Sequence, residues 1–474
     1  MNWLLAPILL PLGWALLLAG VPAGARPRLG LWGGGLLAGA ALVLLARVLE
    51  AGALAVALGG WPLPYGIESR ADALSAMLVA VTALLGLAVF AYDRALAAQP
   101  LAHALLASVC AVFLAADLFN LYVWFELALI ATLGLLVAPG TARASEAAFK
   151  YLALNLLGTL ALLVAVGGVY GVAGQLNFAA LAGLAPARMA ELSPFLALLV
   201  VALLLKAGVL PLFAWLPGSY PALGPAALAL IGGLLTKVAA YVLLRLFGQV
   251  FPLPGAWQES LGWLALATML AGVLGAAYHW DLRRILALHI VSQIGYLLLG
   301  VALASQAAAT GTAFFLVHNI LVKANLFLIA GLILAEAGHY DLRRIGGLYP
   351  GRPWLAVLFL VNALALVGVP PSSGFWGKFM LVGAAFEQDR LAWGLGALAV
   401  GLLTLYSMSK IWLEGFWKPA PDRAPAPRPS MPRAAWWASA GLSVLVLVMG
   451  LWPAPFIAAA EQAVAGFAFA GGMP

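Results

Sequence analysis

Fourteen long apolar runs follow one another along the chain, separated only by short polar breaks. A helix needs about 20 apolar residues to cross a bilayer, and lipid admits only helices or closed barrels. Runs of this length fit helices and not the short alternating strands of a barrel. They are approximately 2–22, 29–48, 73–92, 100–118, 120–138, 147–171, 194–216, 221–247, 259–279, 283–303, 309–335, 353–386, 391–416 and 434–459. The twelfth run is longer than one span needs and contains Pro370-Pro371, which predicts a break. The longest polar segment, Lys418–Arg433, is rich in Pro and Arg and reads as a loop.

Composition supports the same class. Hydrophobic residues make up 65% of the 474 positions and charged residues 9%. A soluble domain carries about 25% charged residues. The expected fold is therefore an all-α polytopic membrane protein with about fourteen spans. The first run ends near Ala23-Gly24-Ala25, as a cleaved signal would. It lacks a positive leading region and its apolar core is long, so it reads as a retained first helix.

Several functions are excluded. One cysteine, Cys110, rules out a disulfide framework and cysteine-ligated clusters. Five histidines are scattered without metal spacing, and no phosphate-binding GxxxxGK[ST] loop occurs. No cofactor, metal or enzyme chemistry is expected. The net charge of +7 fits membrane topology better than nucleic-acid binding. The loops after odd-numbered runs hold fourteen Lys and Arg. Those after even-numbered runs hold five: Arg47, Arg70, Arg188, Arg245 and Arg390. The positive-inside rule places the odd loops in the cytoplasm and both termini outside.

The remaining five cations are all lysines, and all lie inside runs: Lys206, Lys237, Lys323, Lys378 and Lys410. A charge near the bilayer centre costs about 2.5–3.5 kcal/mol or more. Lysine can release its proton when desolvated, whereas arginine effectively cannot. Lys206 lies in VALLLKAGVLPLFAWLP, five residues before Pro211. Lys378 follows Pro370 and Pro371 in VPPSSGFWGKFML. Such breaks expose backbone where it lines a polar cavity. Glu126 sits within the fifth run, placed to pair with a lysine of another helix. Lys237 is too far from either end of its run to snorkel. His318 and Lys323 stand on one helix about 140° apart. His318 and His289 read either as relay members or as satisfied core histidines. Lys410, near a helix end beside Glu414, reads as snorkelling.

An internal repeat is visible. Gly233-Leu-Leu-Thr236 matches Gly401-Leu-Leu-Thr404, and Asp117 matches Asp281. Helices 7 and 12 align loosely as lysine-plus-proline segments. The pattern suggests two five-helix units, helices 4–8 and 9–13. An odd helix number inverts the second unit, a layout found in secondary transporters. The expected division is 1–98 (three N-terminal helices), 99–247, 259–418 and 434–474.

FNLYVWFELALIATLGLL, LLKAGVLPLFAWLP, GGLLTKVAAYVLLRLF, DLRRILALHIVSQIGYLLLG, HNILVKANLFLIAGLI, YDLRRIGGLYP and PPSSGFWGKFML occur in order. With them the chain resembles the antiporter-like subunits of complex I, membrane-bound hydrogenases and multisubunit Mrp-type Na⁺/H⁺ antiporters. SQIGYLLLG, HNILVKANLFLIAG and SGFWGKF look most like the D-type subunits of the Mrp antiporters. The resemblance implies broken helices 7 and 12, and a proton path through Glu126, Lys206, Lys237 and Lys378 with Lys323 between the halves. It implies other membrane subunits as partners, protons and Na⁺ as cargo, and a bacterial or archaeal cell membrane. The alternatives are a redox-driven proton-pumping subunit of complex I or a hydrogenase, and a stand-alone solute carrier.

Overall fold

The computed structural model describes residues 3–61, 66–420 and 432–469. Most of the loop expected at Lys418–Arg433 and the end of the last expected unit lie outside the described residues. The helices are α1 (Ala6–Gly20), α2 (Arg26–Ala51), α3 (Ala73–Tyr92), α4 (Pro100–Leu114) and α5 (Leu118–Val137). They continue as α6 (Ala142–Ala173), α7 (Pro186–Ala207), α8 (Pro225–Arg245), α9 (Gly255–Tyr278) and α10 (Leu282–Leu303). Then come α11 (Gln306–Ala337), α12 in two halves (Pro353–Val367 and Ser373–Glu387), α13 (Leu391–Trp412), α14 (Arg433–Leu451) and α15 (Ala454–Val464).

Among the described residues, twelve helices are long and apolar enough to cross a membrane. The other two expected runs form shorter helices, α4 with 15 residues and the first half of α12 with 15. Hydropathy gives no sign of a small antiparallel hairpin between α2 and α3. Leu54–Ala57 (β1) pairs there with Glu68–Ala71 (β2), Leu54 opposite Ala71. The N-terminal turn packs on this hairpin. The C-terminal segment donates Ala468 N–H to Gly248 O. Both ends of the described chain thus lie on the hairpin face.

Burial identifies the centre. Every residue from Ile285 to Leu303 in α10 and from Ala308 to Ile333 in α11 is buried. Helices α1, α2, α6 and α13 instead expose large apolar side chains, as a lipid-facing layer does. Asp side chains cap α3 (Asp72), α5 (Asp117) and α10 (Asp281), each accepting backbone N–H groups of the first turn. Such caps contribute about 1 kcal/mol each.

The repeat appears as a pair of identical hydrogen-bonded knots 164 residues apart (117 to 281, 177 to 341). Asp117 bridges Asn177, with Leu118 N–H on Leu176 O and Phe178 N–H on Ala116 O. Asp281 bridges Asp341, with Leu282 N–H on Tyr340 O and Leu342 N–H on Trp280 O. Both units end in a π turn, Leu246–Val250 after α8 and Leu413–Trp417 after α13.

The helix breaks also correspond, but not lysine to lysine. Helix α7 ends at Gly208 (φ 75) and α12 pauses at Gly368 (φ 88), left-handed positions that favour glycine. Each is followed by a cis X-Pro bond, Leu210-Pro211 and Pro370-Pro371. On this alignment Lys206 precedes its break and stands where Leu366 stands. Lys378 follows its break. The expected Lys206/Lys378 correspondence is therefore replaced by a break-to-break match.

Helices α9 and α10 approach too closely for a side chain at Gly272. A Cβ there would lie 2.4 Å from Ser292 N and 2.8 Å from Leu288 O. Small residues permit this backbone approach. Gly272→Leu is expected to destabilise the subunit by about 1–3 kcal/mol, as overpacking does. Gly171→Leu, at a position with nothing within 4 Å, is expected to be neutral. Thermal unfolding in detergent would check the contrast, and equal effects would contradict the close-packing argument.

Candidate functional site

The seven residues expected on the path fall into two groups. Lys206, in the last turn of α7, donates to Thr159 Oγ1 of α6 at 2.8 Å and lies 5.1 Å from the Phe125 ring centroid. Glu126 of α5 is half-buried, with Oε1 enclosed and without a hydrogen-bond partner. It interacts electrostatically with Lys206. No ion pair within 4.0 Å joins them. Thr159 is invisible to a reading of the sequence, because a threonine on a long apolar helix carries no distinguishing signal.

The second group is the five residues Lys237, His289, His318, Lys323 and Lys378, on α8, α10, α11 and α12. Lys237 and Lys323 are 0% exposed, and Lys378 is 8% exposed. Lys323 interacts electrostatically with both Lys237 and Lys378, and each histidine with Lys323 and Lys378. Lys237 donates to Gly232 O at 2.8 Å on its own helix. Lys323 Nζ has no hydrogen-bond partner. Among the described residues none of these lysines makes an ion pair within 4.0 Å.

The break in α12 explains how Lys378 is held. Its Nζ donates to Leu366 O at 3.0 Å and Val367 O at 2.8 Å, and sits 4.7 Å from the Tyr296 ring centroid. These carbonyls end the first half-helix and carry the negative end of its dipole. The ammonium thereby returns across the break to the residue that matches Lys206.

His289 Nε2 shares a hydrogen bond with Ser407 Oγ at 2.9 Å, and His318 Nδ1 with Ser373 Oγ at 2.8 Å. The other ring nitrogen of each is buried and unpartnered. So are Ser292 Oγ, both amide atoms of Gln293 and of Asn319, and Thr236 Oγ1. A buried polar atom without a partner costs about 1–3 kcal/mol. Their concentration on α8, α10 and α11, beside the lysines, marks a polar core inside the most buried helices. The residues are visible in sequence as SQ and HN within apolar runs. Asn325, by contrast, is satisfied by Asn362, Ser439 and Ser443, a structural clamp between α11, α12 and α14.

The structure gives partners to two charges near helix ends. Lys410, expected to snorkel beside Glu414, interacts electrostatically with it. Its Nζ donates to Ala277 O at 2.9 Å and His279 O at 2.7 Å, closing the end of α9, while Glu414 forms an ion pair with Lys418 at 3.1 Å. Arg245, assigned from sequence to a loop, is 6% exposed within α8. It forms a two-pronged pair with Asp72. Hydropathy alone cannot place a charge near a helix end when its partner is 173 residues away.

Comparison with known proteins agrees with this architecture. A family model described as "NADH:quinone oxidoreductase/Mrp antiporter, TM" matches residues 115–407, from the first knot into α13. The chain is 39% identical over 391 residues to the D-type subunit of a Na⁺/H⁺ antiporter from Alkalihalophilus pseudofirmus, covering 79% of this chain and 78% of that protein. It superposes with TM-score 0.91 and 31% identity on a chain of the Mrp complex from Dietzia sp., covering 98% and 97%. It matches a chain of respiratory complex I from Thermus thermophilus with TM-score 0.84 and 28% identity, covering 98% of each. With the knots, the broken helices and the buried lysines in place, the chain belongs to the NADH:quinone oxidoreductase/Mrp antiporter family of membrane subunits.

Proposed function

We propose that the chain is the D-type subunit of a multisubunit Na⁺/H⁺ antiporter, and that it carries protons through the membrane interior. The observation that carries this reading is the group Lys237–Lys323–Lys378. Three buried lysines interact on packed helices without a carboxylate among them. Adjacent positive charges in a low dielectric disfavour full protonation of the set, so a proton gained at one site weakens its hold at the next. Glu126 and Lys206 form the start of the line, Lys237 leads inward, Lys323 joins the two five-helix units, and Lys378 ends it at the second break. His289, His318 and the unpartnered atoms of Ser292, Gln293 and Asn319 supply further donors and acceptors between them. The units run over 99–247 and 259–418.

Other membrane subunits are partners, since the relatives belong to multisubunit complexes. Na⁺ as the exchanged cation, a bacterial or archaeal cell membrane, and both termini outside are the finer parts of the proposal. The shared hairpin face of the two ends and the arginine-rich opposite loops support that orientation. A redox-driven pump of the complex I type is the second reading, supported by the similarity to the Thermus chain. Co-purification with small antiporter subunits or with quinone-reducing ones separates the two.

Lys206→Ala and Glu126→Ala are each expected to lower Na⁺-driven proton movement by more than about tenfold in vesicles holding the assembled complex. Near-normal exchange in an assembled Lys206→Ala complex would overturn the path. Lys378→Ala is expected to cost more transport than Lys410→Ala, because Lys410 closes a helix end. Equal losses would contradict that division. Thr159→Val is expected to slow exchange severalfold while Thr159→Ser retains it. Equal rates in the two would show that the Lys206 hydrogen bond is idle.

A further inference from the structure

Two polar cavities stand on opposite faces of the bundle, and the repeat relates them. The first, of about 90 Å³, is on the hairpin face and is lined by Ala115, Ala116, Asn177 and Ala179 among others. The second, of about 460 Å³, is on the opposite face. Its lining includes His279, Trp280, Asp341 and Arg343, each 164 residues after its counterpart in the first. Neither cavity contains a residue of the proton line.

A cation from the end of each unit's fifth helix stands beside each cavity. Arg245 ends α8 and lines the first. Lys410, in the last turn of α13, holds the carbonyl of His279 and sits 4.0 Å from the Trp280 ring centroid, both in the lining of the second. Both cations precede a π turn, a feature common at functional positions.

Arg245 is fully engaged. It donates to both carboxylate oxygens of Asp72, to Gln249 Oε1 at 2.9 Å and to Tyr241 Oη at 3.0 and 3.2 Å. Tyr241 Oη in turn donates to Phe113 O at 2.8 Å. Lys237, Tyr241 and Arg245 are spaced i, i+4 and i+8, so they follow one face of α8. Asp72, Tyr241 and Arg245 all line the first cavity, and Arg245 holds Tyr241 Oη, so a route from the cavity along this face to Lys237 passes the Arg245–Tyr241 contact. Glu68 and Arg70 also line the cavity, so its charges balance. A balanced site is a poor trap for a cation and a workable passage for water.

We propose that the Asp72–Arg245 pair is a releasable plug that closes a water-accessible vestibule on the hairpin face from Lys237. The assignment rests on the proton-path reading. It explains why a buried ion pair is used here. Apolar residues of similar volume would hold the helices about as well, but only a charged contact yields to a competing charge arriving nearby. Burial by itself would raise the Asp72 carboxyl. The charge of Arg245 and hydrogen bonds from Arg245 and Ser75 outweigh that and hold it at about 2, below its ordinary 3.8. A lowered carboxyl stays ionised until the pH falls toward that value, so the pair persists at neutral and mildly acid pH.

The test uses thiol labelling in vesicles holding the assembled complex. Cys110 is the sole cysteine of this chain and is buried, so Cys110→Ser makes the chain cysteine-free, and labelling is read on this subunit against the same complex without Lys237→Cys. Lys237→Cys is added, and an impermeant cationic methanethiosulfonate is applied to each face in turn. With the pair intact, labelling is expected to be slow from both faces. Arg245→Gln or Asp72→Asn is expected to accelerate it about tenfold or more from the hairpin face alone. Unchanged rates in both variants, or equal acceleration from both faces, would overturn the plug. Failure of both variants to assemble would show a structural clamp and overturn it as well. The readout does not depend on transport. Exchange that survives Lys206→Ala would sink the proton path without altering the labelling result.

Discussion

A lysine buried without a carboxylate is among the most costly things a membrane protein can hold, and this structure depends on holding three together. Desolvating an ammonium costs several kcal/mol unless dipoles or partners replace the lost water. Here the replacements are mostly backbone carbonyls. Lys237 uses Gly232 O, and Lys378 uses the two carbonyls that end the first half of α12. The broken helix is therefore what makes Lys378 tolerable, since an unbroken helix would have used those carbonyls in its own hydrogen bonds.

The same constraint shapes the bundle around the lysines. Helices α10 and α11 are buried over nearly their whole length, and this enclosure keeps the polar core away from lipid. Glycines at the α9–α10 contact let backbones meet where side chains would hold them apart. The lipid-facing layer needs no such precision, and its large apolar side chains are freely exposed. Polar groups with fixed partners, such as Asn325, clamp the helices. Many of those without partners lie on α8, α10 and α11, the helices that carry Lys237, Lys323 and both buried histidines of the group.

The repeat links these local facts to direction. Two identical knots, two breaks and two π turns give the molecule equivalent features on opposite membrane faces. The units are not equal in charge. The first carries Lys206 before its break and draws Asp72 from α3 to hold Arg245. The second carries Lys378 after its break and uses carbonyls for Lys410. A symmetric scaffold with asymmetric charges can distinguish one side of the membrane from the other.

The amino-acid order alone pointed to a bundle of many apolar helices, to the prolines where two of them break and to the five lysines inside the runs. Length, hydropathy and proline act locally, so they can be read locally. It also pointed to Glu126 and the lysines, because a charge in an apolar run is conspicuous without knowledge of its neighbours. Tertiary structure decided who meets whom. Lys323 joins Lys237 and Lys378, and Thr159 binds Lys206. Arg245 leaves its expected loop for Asp72, and Lys378 reaches back to the position that matches Lys206. All but the last depend on contacts between residues far apart in the chain, and the last depends on the geometry of the break; hydropathy carries no information about either.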